Sequence, residues 1–182
     1  MAAKVNVPAG SLAVDVGSND GKVLEGFKNV GMRVLGVEPT NIAQIAIAAG
    51  IPTVNDFFSP AIARRIRDEH GPAAIVTAAN VFAHVNRLSE LLLGVHDLLE
   101  TGGVFVTESH YMLDILQTLQ YDSIYHEHLR FYLMKPLERL FDSHGFTLED
   151  AERIPNYGGS IRIYARKGRG GPVAPSVAAL IA

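Results

Sequence analysis

No cysteine occurs anywhere in the chain. Structural disulfides, thiolate zinc sites and cysteine nucleophiles are therefore excluded by composition alone. No apolar run reaches the ~20 residues that a membrane-spanning helix needs, and the opening Met1-Ala2-Ala3-Lys4 lacks the apolar core of a secretory signal. A cytoplasmic protein without membrane contact is the expectation. Charge is sparse: Asp, Glu, Lys and Arg make up 19% of the residues, and the formal net charge is −3. Nucleic-acid surfaces show as strongly basic domains or stripes, so none is expected. The one cationic run, Arg64-Arg65 with Arg67, shares a helical stretch with Asp68 and Glu69 and reads as a solvated face. The His-Glu-x-x-His pattern is missing too, and without a third ligand in view no metal site is expected.

What the chain does have is a core. Its 182 residues are 48% hydrophobic, enough for one domain and short for two. Apolar β-branched runs alternate with helical patterns. The runs are Leu12–Val16, Arg33–Glu38, Ile51–Asn55, Ala74–Ala78 and Val104–Glu108. Helices are predicted over about 21–30, 41–49, 60–69, 88–99 and 137–144. This order favours parallel βαβ units with both sheet faces covered. The ending differs, because Thr147–Ile154 and Ser160–Lys167 are two strands joined by a Gly-containing turn. A mostly parallel seven-stranded sheet closing in an antiparallel hairpin is expected, the Rossmann-like α/β outline of class I methyltransferases. Residues 1–167 form the expected domain. Residues 168–182 read either as a linker or tail or as the start of a further region.

Chemistry enters at the first strand's end. Asp15-Val-Gly17-Ser-Asn19-Asp-Gly21 leads into a helix, and ligands of open α/β sheets bind beyond the carboxyl ends of strands. Glycine lets backbone approach a ligand that a Cβ would exclude. The second strand ends in Glu38, where a carboxylate accepts from ribose hydroxyls. A dinucleotide loop is G-x-G-x-x-G and delivers a diphosphate to the helix N-terminus. This loop is G-x-x-x-G with carboxylates at Asp15 and Asp20, which suits a cation. S-adenosylmethionine (SAM), a sulfonium that also carries an ammonium, is the expected cofactor, and S-adenosylhomocysteine (SAH) the product. Asp56 either meets the adenine amino group or caps the helix near Pro60. Phe57 or Phe58 would lie against the adenine ring. Asn80, after the fourth strand, either faces the methionine part or closes a turn.

Several further segments carry a resemblance. Gly36-Val-Glu-Pro39 with Asn41-Ile-Ala43, Asn80-Val-Phe-Ala-His84, Tyr121-Asp-Ser-Ile-Tyr-His-Glu-His128 and Gly158-Gly-Ser-Ile-Arg162 join the cofactor loop. Together they resemble the deoxysugar C-methyltransferases, which methylate a carbon beside the ketone of a dTDP-linked 4-keto-deoxysugar. The resemblance runs from about residue 12 to 164 and implies His128 as the base removing the sugar proton. It implies Tyr125 and Glu127 lining the site and His84 close to the sugar. It also implies a small-molecule sugar-nucleotide substrate; oligomeric state is left open. Relatives in that family carry a cysteine-held zinc domain before the SAM domain and another domain after it. This chain shows neither.

The chemistry agrees with those residue types. A carbon beside a ketone becomes a nucleophile once a base takes its proton and a donor stabilises the enolate oxygen. Histidine is the side chain whose ordinary pKa suits that base. Tyr125 offers an O–H donor, and Glu127 is expected to fix a neighbouring imidazole. A helix or turn would join Tyr125 with His128, whereas a strand would part them. His84, His110, His126 and His128 all fall in segments assigned to the cleft. His110 takes either a direct role or that of a satisfied polar residue at a strand end, His126 reads as structural, and Tyr121, Phe131 and Tyr132 as core. Two other readings stand beside this one: O- or N-methylation of a small metabolite, and a SAM-binding core inactive without flanking domains.

Overall fold

The computed structural model describes residues 1–5 and 7–181. Seven strands form one sheet: β1 (Leu12–Val16), β2 (Arg33–Val37), β3 (Thr53–Val54), β4 (Ala73–Ala79), β5 (Leu99–His110), β6 (Phe146–Ile154) and β7 (Ser160–Lys167). Their spatial order is β3-β2-β1-β4-β5-β7-β6. The first five run parallel, and β7 lies antiparallel between β5 and β6. The expected fold class is what the chain adopts.

The reason lies in the strands' composition. Every residue of β1 is buried, as a strand covered on both faces must be. On one side α2 (Lys22–Asn29) inserts Leu24 and Phe27. On the other, α4 (Pro60–His70) and α5 (Leu88–Leu98) bury Ile62, Ile66, Leu92 and Val95. Of the remaining helices, α1 is Ala2–Val5, α3 Ala43–Ala48, α6 Met112–Gln117, α7 Met134–Ser143 and α8 Pro175–Ile181. Helix α8 folds back over β6, with Val177 buried. None of the described helices is long and apolar enough to cross a membrane.

Local signals set most boundaries. Ser59 caps α4, its hydroxyl accepting from the Ile62 amide at 3.3 Å with Pro60 at the first turn. The cap considered at Asp56 is thus three residues later. Strand β5 outruns its apolar sequence because β7 pairs with it as far as His110–Ser160. The predicted solvated face of α4 holds for Arg64 and Arg65. Arg67 instead donates to the carbonyls of Asp97 and Leu99, tying α4 to the end of α5.

The parallel order reverses direction between β1 and β4, so a crevice opens beyond their carboxyl ends. Phe82, in the loop after β4, turns into the core. It is fully buried, with its ring 5.6 Å from Phe105 and 6.1 Å from Phe141. Burying one such side chain contributes on the order of 2–3 kcal/mol.

Candidate active site

Two connected cavities occupy the crevice. The larger, about 900 Å³, is walled by the loop after β1, by Phe57 and Phe58, and by the loop after β4. The smaller, about 380 Å³, lies among His84, Ser109, His110, Tyr125 and His128. Asn80, His84 and Tyr157 line both.

The larger cavity is shaped by backbone. Gly17 has φ +69°, and a Cβ there would stand 2.6 Å from Val81 Cγ2. Gly21, at φ +83°, starts α2 in the left-handed region. Beneath the loop, Asp15 Oδ1 accepts from Thr77 Oγ1 at 2.5 Å. Burial pushes the Asp15 carboxyl up to about 7 despite that hydrogen bond, and nearby Glu38 adds to the effect. Glu38 braces the loop from behind: Oε2 accepts from the Asn19 amide at 3.0 Å, and Oε1 from the Thr40 amide and hydroxyl at 3.0 and 2.7 Å. A carboxylate has about four lone-pair sites, so acceptor capacity is left for a further hydroxyl.

SAM fits this cavity on one structural ground. Asn80 Oδ1 is buried without a partner, and with the Asp15 carboxylate it makes an acceptor-rich floor. A bare buried acceptor is costly unless a ligand donor meets it. An ammonium does so. Asp15, Gly17, Asn19, Phe57 and Asn80 line the cavity directly. Gly21 and Glu38 shape it without lining it. Asp56 lies exposed outside, accepting from the adjacent Phe57 amide at 2.7 Å.

The smaller cavity is held by cross-loop hydrogen bonds. The Leu129 amide donates to Ala83 O at 2.8 Å, Tyr132 Oη to Phe82 O at 2.8 Å, and Arg130 to the carbonyls of Val85 and Asn86. These bonds bring His128 to 5.1 Å from His84, ring centre to ring centre. His110 is also 5.1 Å from His128. A turn sets the Tyr125 ring 4.3 Å from that of His128, and the His128 amide donates to Tyr125 O at 3.0 Å. The turn alternative for this block is the observed one.

Main-chain carbonyls fix the tautomers. His128 Nδ1 lies 2.8 Å from Ser123 O, and His84 Nδ1 lies 3.0 Å from Glu127 O. A carbonyl only accepts, so each Nδ1 carries the proton in the neutral ring and each Nε2 keeps its lone pair. The Glu127 carboxylate takes no part in this. It is 60% exposed and sits 4.0 Å from His126 Nε2, itself directed to solvent. His110 is held below the ordinary histidine range, first by burial and then by His128 and His84. Among the described residues, no three metal-ligating side chains are grouped to hold an ion.

Thr77, Ser109 and Tyr157 joined the site without being singled out from sequence for it, whereas His110, a candidate there for a direct role, lines the smaller cavity. The signal for Ser109 and His110 was their place at the end of a parallel strand, the same as that of Asn80. Of the four non-glycine residues with positive φ among those described, Asn19, Asn80 and Tyr157 line these cavities. Such strain persists where surrounding structure enforces it. For Tyr157 the enforcement is visible: Asn156 Nδ2 donates to Glu108 Oε1 at 3.0 Å, and Arg162 holds the other oxygen at 2.9 Å.

Comparison with known proteins places this architecture. Residues 5–151 match the family described as "Methyltransferase domain". C-methyltransferase NovU of Streptomyces niveus is 35% identical over 181 residues, covering 98% of this chain and 43% of NovU. The chain thus spans less than half the length of that relative. Two solved structures share the fold. Magnesium protoporphyrin IX methyltransferase of Synechocystis PCC 6803, with bound SAH, gives a TM-score of 0.69 at 12% identity over 92% of this chain and 78% of its own. The 1,6-didemethyltoxoflavin-N1-methyltransferase of Burkholderia thailandensis gives 0.68 at 18% identity over 92% and 74%. The chain belongs to the methyltransferase-domain family, as a SAM-dependent methyltransferase domain of class I fold.

Proposed function

We propose that this domain methylates carbon, next to the ketone of a nucleotide-linked 4-keto-deoxysugar, with His128 as the base. The carrying observation is the His128 tautomer: Nδ1 is committed to Ser123 O, so Nε2 is a free base on a ring lining the smaller cavity. The likeness to a protein named a C-methyltransferase supports carbon as the acceptor. In this reading residues 1–167 carry the reaction.

When bound, SAM supplies an electrophilic methyl group on sulfur. The larger cavity orients it, with Asp15 and Asn80 receiving the methionine end and Glu38 the ribose. His128 Nε2 takes the proton from carbon, and the C–H electron pair becomes the enolate that forms the new C–C bond. The proton then leaves His128 for solvent before the next turnover. Tyr125 and Tyr157 flank the approach.

The test is proton washout. A dTDP-linked 4-keto-6-deoxysugar is incubated with the chain in heavy water without SAM, and the carbon-bound proton is followed by NMR. Exchange that disappears in His128→Ala supports the reading. The chain's short span of its relative favours one rival, a SAM-binding core that turns over only within a longer protein. Normal SAH binding without any exchange would establish that rival instead.

A further inference from the structure

Removing the proton leaves negative charge on the acceptor's carbonyl oxygen, and the smaller cavity must receive it. No lysine or arginine lines that cavity among the described residues. The Nδ1 atoms of His84 and His128 are already engaged by main-chain carbonyls. The remaining donors in the cavity's lining are the Asn80 amide, the His110 ring N–H and the hydroxyls of Ser109, Ser123, Tyr125 and Tyr157. Tyr125 and Tyr157 are 43% and 68% exposed, so water solvates and competes with both. Ser109 differs. It is 6% exposed at the end of β5, adjacent to His110, and its Oγ is buried with no hydrogen-bond partner. Native proteins rarely leave a buried hydroxyl unpaired, and such groups collect where a ligand completes the bond.

We propose that Ser109 Oγ–H is the oxyanion donor of this site, hydrogen-bonding the acceptor's carbonyl oxygen as it becomes an enolate. The proposal rests on the carbon-methylation reading and moves the donor role from the exposed Tyr125 to a buried group. A fixed hydroxyl in a dry wall stabilises developing charge without solvent reorganisation, which is where such donors act most strongly. Ser109 keeps its proton throughout. The carbon's proton goes to His128 Nε2, the electron pair shifts towards the oxygen, and its return forms the bond to the incoming methyl carbon while the S–C pair stays on sulfur.

The matched pair Ser109→Thr and Ser109→Val tests it, since these side chains have the same shape and differ in the hydroxyl. Washout from a dTDP-linked 4-keto-6-deoxysugar in heavy water is measured for both, with SAH calorimetry as the folding control. The Val form is expected to exchange on the order of 100-fold more slowly than the Thr form. KM and SAH affinity should agree within a few-fold, and Tyr125→Phe should lose less than the Val form. Equal washout rates for Thr and Val, or a difference confined to KM, overturn the Ser109 assignment and leave the carbon-methylation reading intact. No washout by the wild-type chain overturns that reading, and Ser109 with it.

Discussion

Thr77 and Asp15 are register partners on adjacent parallel strands, and the threonine hydroxyl donates to the carboxylate across 2.5 Å. That single bond leaves Asp15 mostly uncompensated in a dry environment. Its carboxyl rises from the ordinary 3.8 to about 7, chiefly through burial.

The sign of the resulting pH dependence follows. Between pH 3.8 and 7 the unfolded chain ionises this group while the folded chain keeps its proton. The folded state binds more protons, so stability falls as pH rises through that window and stays low above it. At 1.36 kcal/mol per unit, the limit is roughly 4 kcal/mol. Asp15→Asn should flatten this part of the melting-temperature profile between pH 5 and 8. An unchanged slope would remove Asp15 from the account. Bound SAM, being cationic near this carboxyl, should stabilise the wild type more at pH 8 than at pH 6.

Gly17→Ala should weaken SAM binding and cost about 1–2 kcal/mol of stability for an L-residue at positive φ. Crowding against Val81 adds to this. Val81→Ala in the same chain should recover the crowding part but not the backbone part. Calorimetry with SAH and urea unfolding separate the two.

Phe82→Ala should destabilise the chain by roughly 3–5 kcal/mol, as loss of a fully buried ring does. Because Phe82 anchors the segment bearing Asn80 and His84, SAH affinity and washout should both fall. Unfolding in urea at fixed pH measures the first effect.

Arg162→Ala strips the partner from Glu108, a buried carboxylate. A fully buried pair broken this way costs about 3–5 kcal/mol; partial solvent access here lowers the expectation to roughly 2–3. The turn bearing Tyr157 loses its brace as well. Pairing Arg162→Leu with Glu108→Leu should restore stability but not methyl transfer, which thermal melts and a transfer assay distinguish.

The sheet was legible because continuous apolar runs and the Asp15–Gly21 loop are local signals. The second cavity was legible only at Asn80, His84 and the Tyr125–His128 turn, and its Ser109 and Tyr157 walls were not. Sequence leaves His110 between a direct and a structural role because nothing in its neighbourhood announces that His128 and His84 arrive beside it. Glu127 was given a carboxylate role that its carbonyl performs instead, a distinction that residue identity does not encode. Tyr121 looked like core and is exposed, since a 3-10 turn at Tyr121–Ser123 breaks the helical spacing assumed for it.

The bonds joining residues 82–86 to 127–132 span 43 to 50 positions of sequence. They are few, and apart from the buried Tyr132–Phe82 bond they lie in exposed or half-buried loops. The loop after β1, by contrast, is tied to the end of β2 through Val37 and Glu38. Opening of the 118–132 segment would therefore cost far less than global unfolding and would empty one cavity while leaving the other formed. Amide exchange should be fast across that segment and slow at Val14 and Val16. The same imbalance gives turnover an order: the chain can hold its methyl donor before the acceptor's half of the site has closed, and release the product without letting go of SAH.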